Sequence, residues 1–207
     1  MAPARVIFLL AICGRVFVEV IIAADFEAAL VERARAMRIG DPMAEDVQMG
    51  ALISERHLLK VLDYVSSGTA EGATLAAGGK RVHPQGFENG YFMEPTILTD
   101  CRDDMRHVRE EIFGPVMSVL TFTDEDEAIA RANATSFGLG AGLITTDLAR
   151  AHRVADQLES GNVWVNTYNI LPPGLPFGGV KQSGFGRENS TYSLEAYSEI
   201  KATYIQL

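Results

Sequence analysis

Cysteine is nearly absent: 207 residues contain two, Cys13 and Cys101. That is too few for a disulfide scaffold, and neither has the paired Cys/His spacing of a zinc site. The four histidines, His57, His83, His107 and His152, fall in different segments with no i, i+4 pair, which points to surface or core positions and away from a metal centre or a catalytic triad. Positive charge is also short. Eighteen Lys and Arg against 27 Asp and Glu leave a net charge of -9, which repels phosphate backbones and anionic membrane surfaces, and no local basic patch offsets it. No stretch reaches the roughly 20 apolar residues of a spanning helix. These absences argue against a disulfide-stapled module, a zinc enzyme, a nucleic-acid binder and a membrane protein, and make a reducing cytoplasm the expected compartment.

What is present is the composition of an ordinary globular chain, 47% hydrophobic and 22% charged, long enough for one substantial domain with at most a small appendage. Met1 to Arg5 followed by the apolar residues 6–13 has the outline of a short secretory signal. Arg15 and Glu19 interrupt the apolar stretch, so a buried strand or helix is the favoured reading.

Periodicity gives alternating strands and helices. Residues 15–22, rich in β-branched side chains, predict a strand, and 24–39 a helix stopped by Gly40. A second helix is expected over 54–66, a short apolar element at 73–77, and a strand over 91–98 with Pro95 at an edge or bulge. Val116 to Phe122 is strongly β, and the acids after Thr123 read as the first turn of a helix capped by Thr123, where carboxylates meet the positive end of the dipole. Residues 138–145 and 161–166 predict strands flanking a helix over 147–158, and the chain closes with a helix near 192–197 and an alternating strand over 202–207. This order predicts an α/β fold with a mostly parallel sheet and flanking helices. The terminal strand would be an edge that wants a partner.

Two tempting nucleotide motifs fail. Gly138-Leu139-Gly140-Ala141-Gly142 lacks the G-x-G-x-x-G spacing, and Gly79-Lys80 is followed by Arg81 without the earlier glycine of a phosphate loop. More informative are Glu110-Glu111-Ile112-Phe113-Gly114-Pro115-Val116 and the segment from Pro176-Phe177-Gly178-Gly179 through Lys181, Gly184 and Gly186 to Arg187-Glu188. Each sets charged side chains among glycines and an aromatic residue, a composition suited to close backbone approach to a ligand. One carboxylate of the Glu110-Glu111 pair could accept hydrogen bonds from vicinal hydroxyls such as those of a ribose; a solvated turn is the alternative.

With Arg15-Val16-Phe17-Val18, Gly40-Asp41-Pro42, Tyr91 to Thr96, Phe137-Gly138-Leu139 and Trp164-Val165-Asn166-Thr167, these segments resemble the aldehyde dehydrogenase superfamily in order and spacing. Thr99 to Met105 and Asn166-Thr167-Tyr168-Asn169 look most like its betaine aldehyde branch. In such enzymes a cysteine thiolate attacks the aldehyde carbonyl, the adduct passes hydride to NAD or NADP, and water activated by a glutamate releases the acid from the thioester. The resemblance implies that Glu111 holds the nicotinamide ribose and Phe113 bounds the ring. It implies that Lys181 and Gly184 help bind a potassium ion through backbone oxygens, and that Glu188 belongs to a proton or charge relay, with a salt bridge to Arg187 or Lys181 as the alternative. Tyr168 and Phe177 would line the mouth of the substrate pocket, where aromatic faces attract a quaternary ammonium, or else pack in the core. A homo-oligomer, dimer or tetramer, and glycine betaine as product are implied as well.

The resemblance covers the catalytic and oligomerisation part only: an atypical segment 1–14, a catalytic-domain part 15–190, and a helix and oligomerisation strand 191–207. The family's nucleophile falls five residues before the arginine matching Arg15, where this chain has Leu10. Cys13 is two residues before Arg15 and is either a displaced nucleophile or a coincidental buried thiol. The nucleotide-binding domain and catalytic glutamate of the family precede the region represented here. The chain alone is therefore expected to be incomplete as an enzyme, with a noncatalytic oligomerisation module as the alternative.

Overall fold

The computed structural model describes the backbone of residues 6–9 and the whole of residues 14–207. Cys13 and Leu10 lie outside the described residues.

Strands β1 (Val6–Leu9), β2 (Arg15–Glu19), β3 (Thr74–Ala77), β6 (Thr96–Thr99), β7 (Val116–Phe122), β9 (Gly140–Ile144) and β10 (Asn162–Val165) form one sheet in the order β10-β9-β1-β2-β7-β6-β3. β9 with β10, β2 with β7, and β7 with β6 pair in parallel, while β1 runs against both β2 and β9, and β3 runs against β6. Five strands therefore point one way and two oppose them, as the mostly parallel expectation required. β2 and β7 sit at the centre and are buried on both faces, which is why Val16, Phe17, Val18, Val119 and Leu120 form near-continuous apolar runs.

Because successive side chains alternate across a strand, the sheet feeds two cores. Phe17, Leu98 and Leu120 face α2 (Glu55–Ala70) through Leu58 and Val61, while Val16, Val18, Ile97 and Val119 face α1 (Ala23–Ala36) through Ala34. α4 (Glu125–Asn133) and α5 (Leu148–Gln157) follow β7 and β9 as crossover helices. α4 is capped by Asp124, whose carboxylate accepts from the Glu127 amide at 3.0 Å, and not by Thr123, whose hydroxyl turns to the Glu127 side chain.

The element ends moved for identifiable reasons. The first strand stops at Glu19 and becomes a 3-10 turn over Val20–Ile22. α1 ends at Ala36, four residues before Gly40, because the Arg38 carbonyl accepts from the amides of Gln48 and Met49 and Ile39 bridges Met49, which pulls the chain extended. α2 runs past Ser66 to Ala70 and carries Gly68 where it meets His107: an added Cβ would lie 2.9 Å from its Nδ1. Pro95 splits the predicted 91–98 strand into β5 (Phe92–Met93), paired with β4 (Arg81–Val82), and β6. The four-residue helix α3 (Arg106–Arg109) has no apolar period to announce it. Near the C-terminus only the single turn α6 (Ser193–Ala196) forms, and 202–207 is exposed without regular structure, so no strand pairs there within this chain. A strand takes its backbone hydrogen bonds from a neighbour, and this segment meets none among the described residues.

Candidate functional site

The loop that leaves α3 carries the first charged segment, and two adjacent glutamates have different fates there. The Tyr64 hydroxyl donates to Glu110 Oε2 at 2.7 Å and Arg106 Nε donates to the same oxygen at 3.3 Å. Arg106 also bridges Asp63 at 2.8 Å and lies 4.3 Å over the Tyr64 ring. The Tyr64 hydrogen bond, then Arg106, hold the Glu110 carboxyl below its ordinary range, and burial with that same bond pushes Tyr64 up. Glu110 is thus spent on structure. Glu111 points its side chain to the surface while its carbonyl accepts from Lys60 Nζ at 3.4 Å.

Phe113 follows in the left-handed region at φ 56°, a conformation costing a bulky residue of order 1–3 kcal/mol unless its surroundings impose it. Its carbonyl accepts from His57 at 2.7 Å, and the residue is 64% exposed. Glu111 and Phe113 line a cavity of about 560 Å³ whose wall also includes Gly14, Thr135 and Phe137.

The glycine-rich segment lies behind those last residues and contributes no side chain of its own to the cavity wall. β8 (Phe137–Gly138) pairs antiparallel with β11 (Val180–Lys181), and the Gln182 amide donates to the Ser136 carbonyl at 2.9 Å. Lys181, at φ 54°, places its ammonium 2.8 Å from the Asn133 carbonyl, 3.3 Å from that of Thr135 and 2.5 Å from Glu159. From β10, Asn162 grips the 176–178 stretch, donating to the Pro176 carbonyl at 2.9 Å and accepting from the Gly178 amide at 3.1 Å. Next to it, Gly161 permits a backbone approach no side chain would: a Cβ there would stand 1.8 Å from the Gly178 oxygen. Arg187 ties the segment's ends, donating to the carbonyls of Gly179 and Gly186 at 2.9 and 2.7 Å.

Glu188 lies apart from the cavity. Its backbone bridges Phe177 in both directions, and its carboxylate accepts from the Tyr197 hydroxyl at 3.2 Å. Lys181 pairs with Glu159 and Arg187 with carbonyls, so the alternative reading of Glu188, a salt bridge to either cation, does not hold, and its carboxylate meets this tyrosine instead. Tyr168 packs against Trp164 with centroids 5.1 Å apart and planes tilted by 59°, and Phe177 is half-buried; neither lines the cavity. Gly184, at φ 110°, is an exposed turn residue. Among the described residues no group of three or more His, Cys, Asp or Glu side chains converges as a metal site.

Cys101 is no substitute nucleophile. Burial pushes its thiol up to about 12, and it sits 3.4 Å from His107 Nε2 in the core. His107 is itself lowered by burial.

The family model for the aldehyde dehydrogenase family matches residues 11–203. The chain belongs to that family. It is 56% identical over 193 residues to a betaine aldehyde dehydrogenase of Brucella anthropi and 55% identical over the same length to that of Brucella ovis. The match covers 93% of this chain and 40% of each of these relatives, so the chain spans about two-fifths of their length. Among solved structures it is similar to the Staphylococcus aureus betaine aldehyde dehydrogenase in complex with NAD+, at 41% identity and a TM-score of 0.85, covering 89% of this chain and 37% of that one. An aldehyde dehydrogenase of Bacillus cereus in its NAD+ complex superposes with a TM-score of 0.88 at 44% identity, covering 94% and 39%. No helix among the described residues is long and apolar enough to cross a membrane.

Sequence reasoning named Glu111 and Phe113 but missed the residues of α2 that hold their loop. His57, Lys60 and Tyr64 all face the 110–113 loop from α2, and their spacing of three and four puts them on one helical face. That spacing was readable; its partner loop, some fifty residues on, was not.

Proposed function

We propose that this chain contributes the catalytic-domain wall of an NAD-dependent aldehyde dehydrogenase acting on a small aldehyde, betaine aldehyde by the names of its relatives, within a reducing cytoplasm. The observation that carries the reading is the division of labour between adjacent carboxylates: Tyr64 and Arg106 occupy Glu110, and Glu111 is presented at the cavity beside an outward Phe113. An exposed, acceptor-only carboxylate next to an aromatic face suits the vicinal hydroxyls and flat ring of a nicotinamide riboside. The cofactor, when bound, supplies the hydride acceptor. Glu111 would orient its ribose and Phe113 would limit the ring's tilt, fixing the geometry on which transfer depends.

Cys13 remains the candidate thiol nearest in sequence to the cavity, since its neighbour Gly14 lines it. Glu188, held by Tyr197 and paired to Phe177, is proposed for the charge relay, and Tyr168 and Phe177 for the substrate mouth. A potassium ion at Lys181 and Gly184 would use main-chain oxygens of that turn, since the Lys181 ammonium already covers the Asn133 and Thr135 carbonyls.

The second reading is a noncatalytic oligomerisation module. It is favoured by the exposed terminal residues Tyr197, Ile200, Tyr204 and Ile205, which suit burial against a second copy in a dimer or tetramer. Incubating the purified chain with NAD and betaine aldehyde while following NADH, with a nitrophenyl ester in parallel, separates the readings. Silence in both assays with a defined oligomer in light scattering favours the module; ester cleavage lost in Cys13→Ala favours the thiol.

A further inference from the structure

Two side chains one turn apart on α2 hold the loop that presents Glu111 and Phe113. His57 Nε2 lies 2.7 Å from the Phe113 carbonyl oxygen, and Lys60 Nζ lies 3.4 Å from that of Glu111. A carbonyl oxygen only accepts, so the His57 proton in this contact is on Nε2. The same imidazole meets the Phe113 ring edge-on, with centroids 6.2 Å apart and planes at 68°. Both the backbone and the ring of Phe113 are therefore referred to one side chain.

Phe113 is also the residue of this loop that stands at φ 56°. Asparagine and aspartate tolerate that region through local side-chain hydrogen bonds, but phenylalanine has none to offer. An outside contact has to supply what the residue cannot. His57 is suitably placed to do so, because Ser54 accepts from its amide and fixes it in the first turn of a 16-residue helix whose buried face is in the core.

We propose that His57 is the positioning residue of the cofactor loop: through the Phe113 carbonyl and ring edge it keeps Phe113 left-handed and its face open to the cavity, with Lys60 steadying Glu111. The proposal rests on the reading of Glu111 and Phe113 as the seat of a nicotinamide riboside. It adds that the geometry of the seat is set from α2.

Nuclear magnetic resonance on the full chain tests it with two variants. In the wild type, nitrogen-15 histidine spectra should show His57 as the Nε2–H tautomer, and the Phe113 carbonyl, read through the Gly114 amide, should carry a hydrogen-bonded shift. His57→Leu should move that carbonyl signal and broaden the Glu111 and Phe113 amides, while His57→Gln, which retains a donor at similar reach, should restore both. Nicotinamide mononucleotide should perturb the Glu111 amide in the wild type and His57→Gln, with affinity about threefold to tenfold weaker in His57→Leu. An Nδ1–H tautomer in the wild type, or a Phe113 carbonyl unmoved in His57→Leu, overturns the proposal. If His57→Leu fails to fold, the wild-type tautomer and the His57→Gln carbonyl still decide it. If the mononucleotide leaves Glu111 untouched in the wild type, the cofactor reading falls, while the tautomer and carbonyl signals judge the loop contact separately.

Discussion

The Tyr64 hydroxyl and the Glu110 carboxylate, 46 residues apart in sequence, meet at 2.7 Å and so decide which of two neighbouring glutamates is available to a ligand. Glu110 titrates below its ordinary value of 4.5 in the folded chain, because Tyr64 and then Arg106 bond its charged form. Its stabilising contribution is therefore complete above pH 4.5 and fades as pH falls through the lower folded value. Glu110→Gln should cost roughly 0.5 kcal/mol at pH 7, a small effect for a largely solvated pair, and nothing near pH 2. Urea midpoints of both proteins across that range check it; a difference that grows in acid would contradict the assignment.

Gly161→Ala should be among the most damaging single changes. The new methyl would sit 1.8 Å from the Gly178 oxygen, backbone against backbone, with no flexible side chain to give way. A loss of roughly 2–4 kcal/mol is expected, with faster proteolysis at 176–188. A melting temperature within a degree of the wild type would show that the segment does not pack as described.

Cys101 should be silent toward thiol reagents in the native chain. A thiol pushed up to about 12 is thiolate in only ~10⁻⁴ of molecules at pH 8, and burial blocks access besides. Disulfide-exchange labelling should modify Cys101 only after denaturation. Any fast native reaction should then be lost in Cys13→Ala and kept in Cys101→Ala.

The sequence spoke most clearly where one local signal dominated. The β-branched run of Val116 to Phe122 was read to the residue, because both its faces are buried and no polar period competes. Asp124 and Thr123 compete for the same cap, and the outcome depended on backbone geometry at the end of β7 that composition does not encode. The terminal residues 202–207 form no strand within the single chain, because alternation specifies a strand's faces but does not supply the neighbour that must accept its hydrogen bonds. Glu111 and Phe113, legible as motif positions, line the cavity, whereas Lys181 and Glu188, equally legible, do not. Their supports, His57, Lys60, Glu159 and Tyr197, act through contacts 9 to 56 residues distant along the chain, where periodicity has no reach.

The central claim, that this chain supplies one wall of an aldehyde dehydrogenase site whose remainder lies in the part of its relatives it does not span, is tested most directly by complementation. The purified chain is combined with the N-terminal three-fifths of the Brucella anthropi relative, and NADH is followed with betaine aldehyde and NAD. The account predicts no turnover by either piece alone, turnover by the mixture, and a loss of about tenfold or more in Glu111→Gln. Turnover by this chain alone, or a mixture that assembles and is indifferent to Glu111, would contradict it.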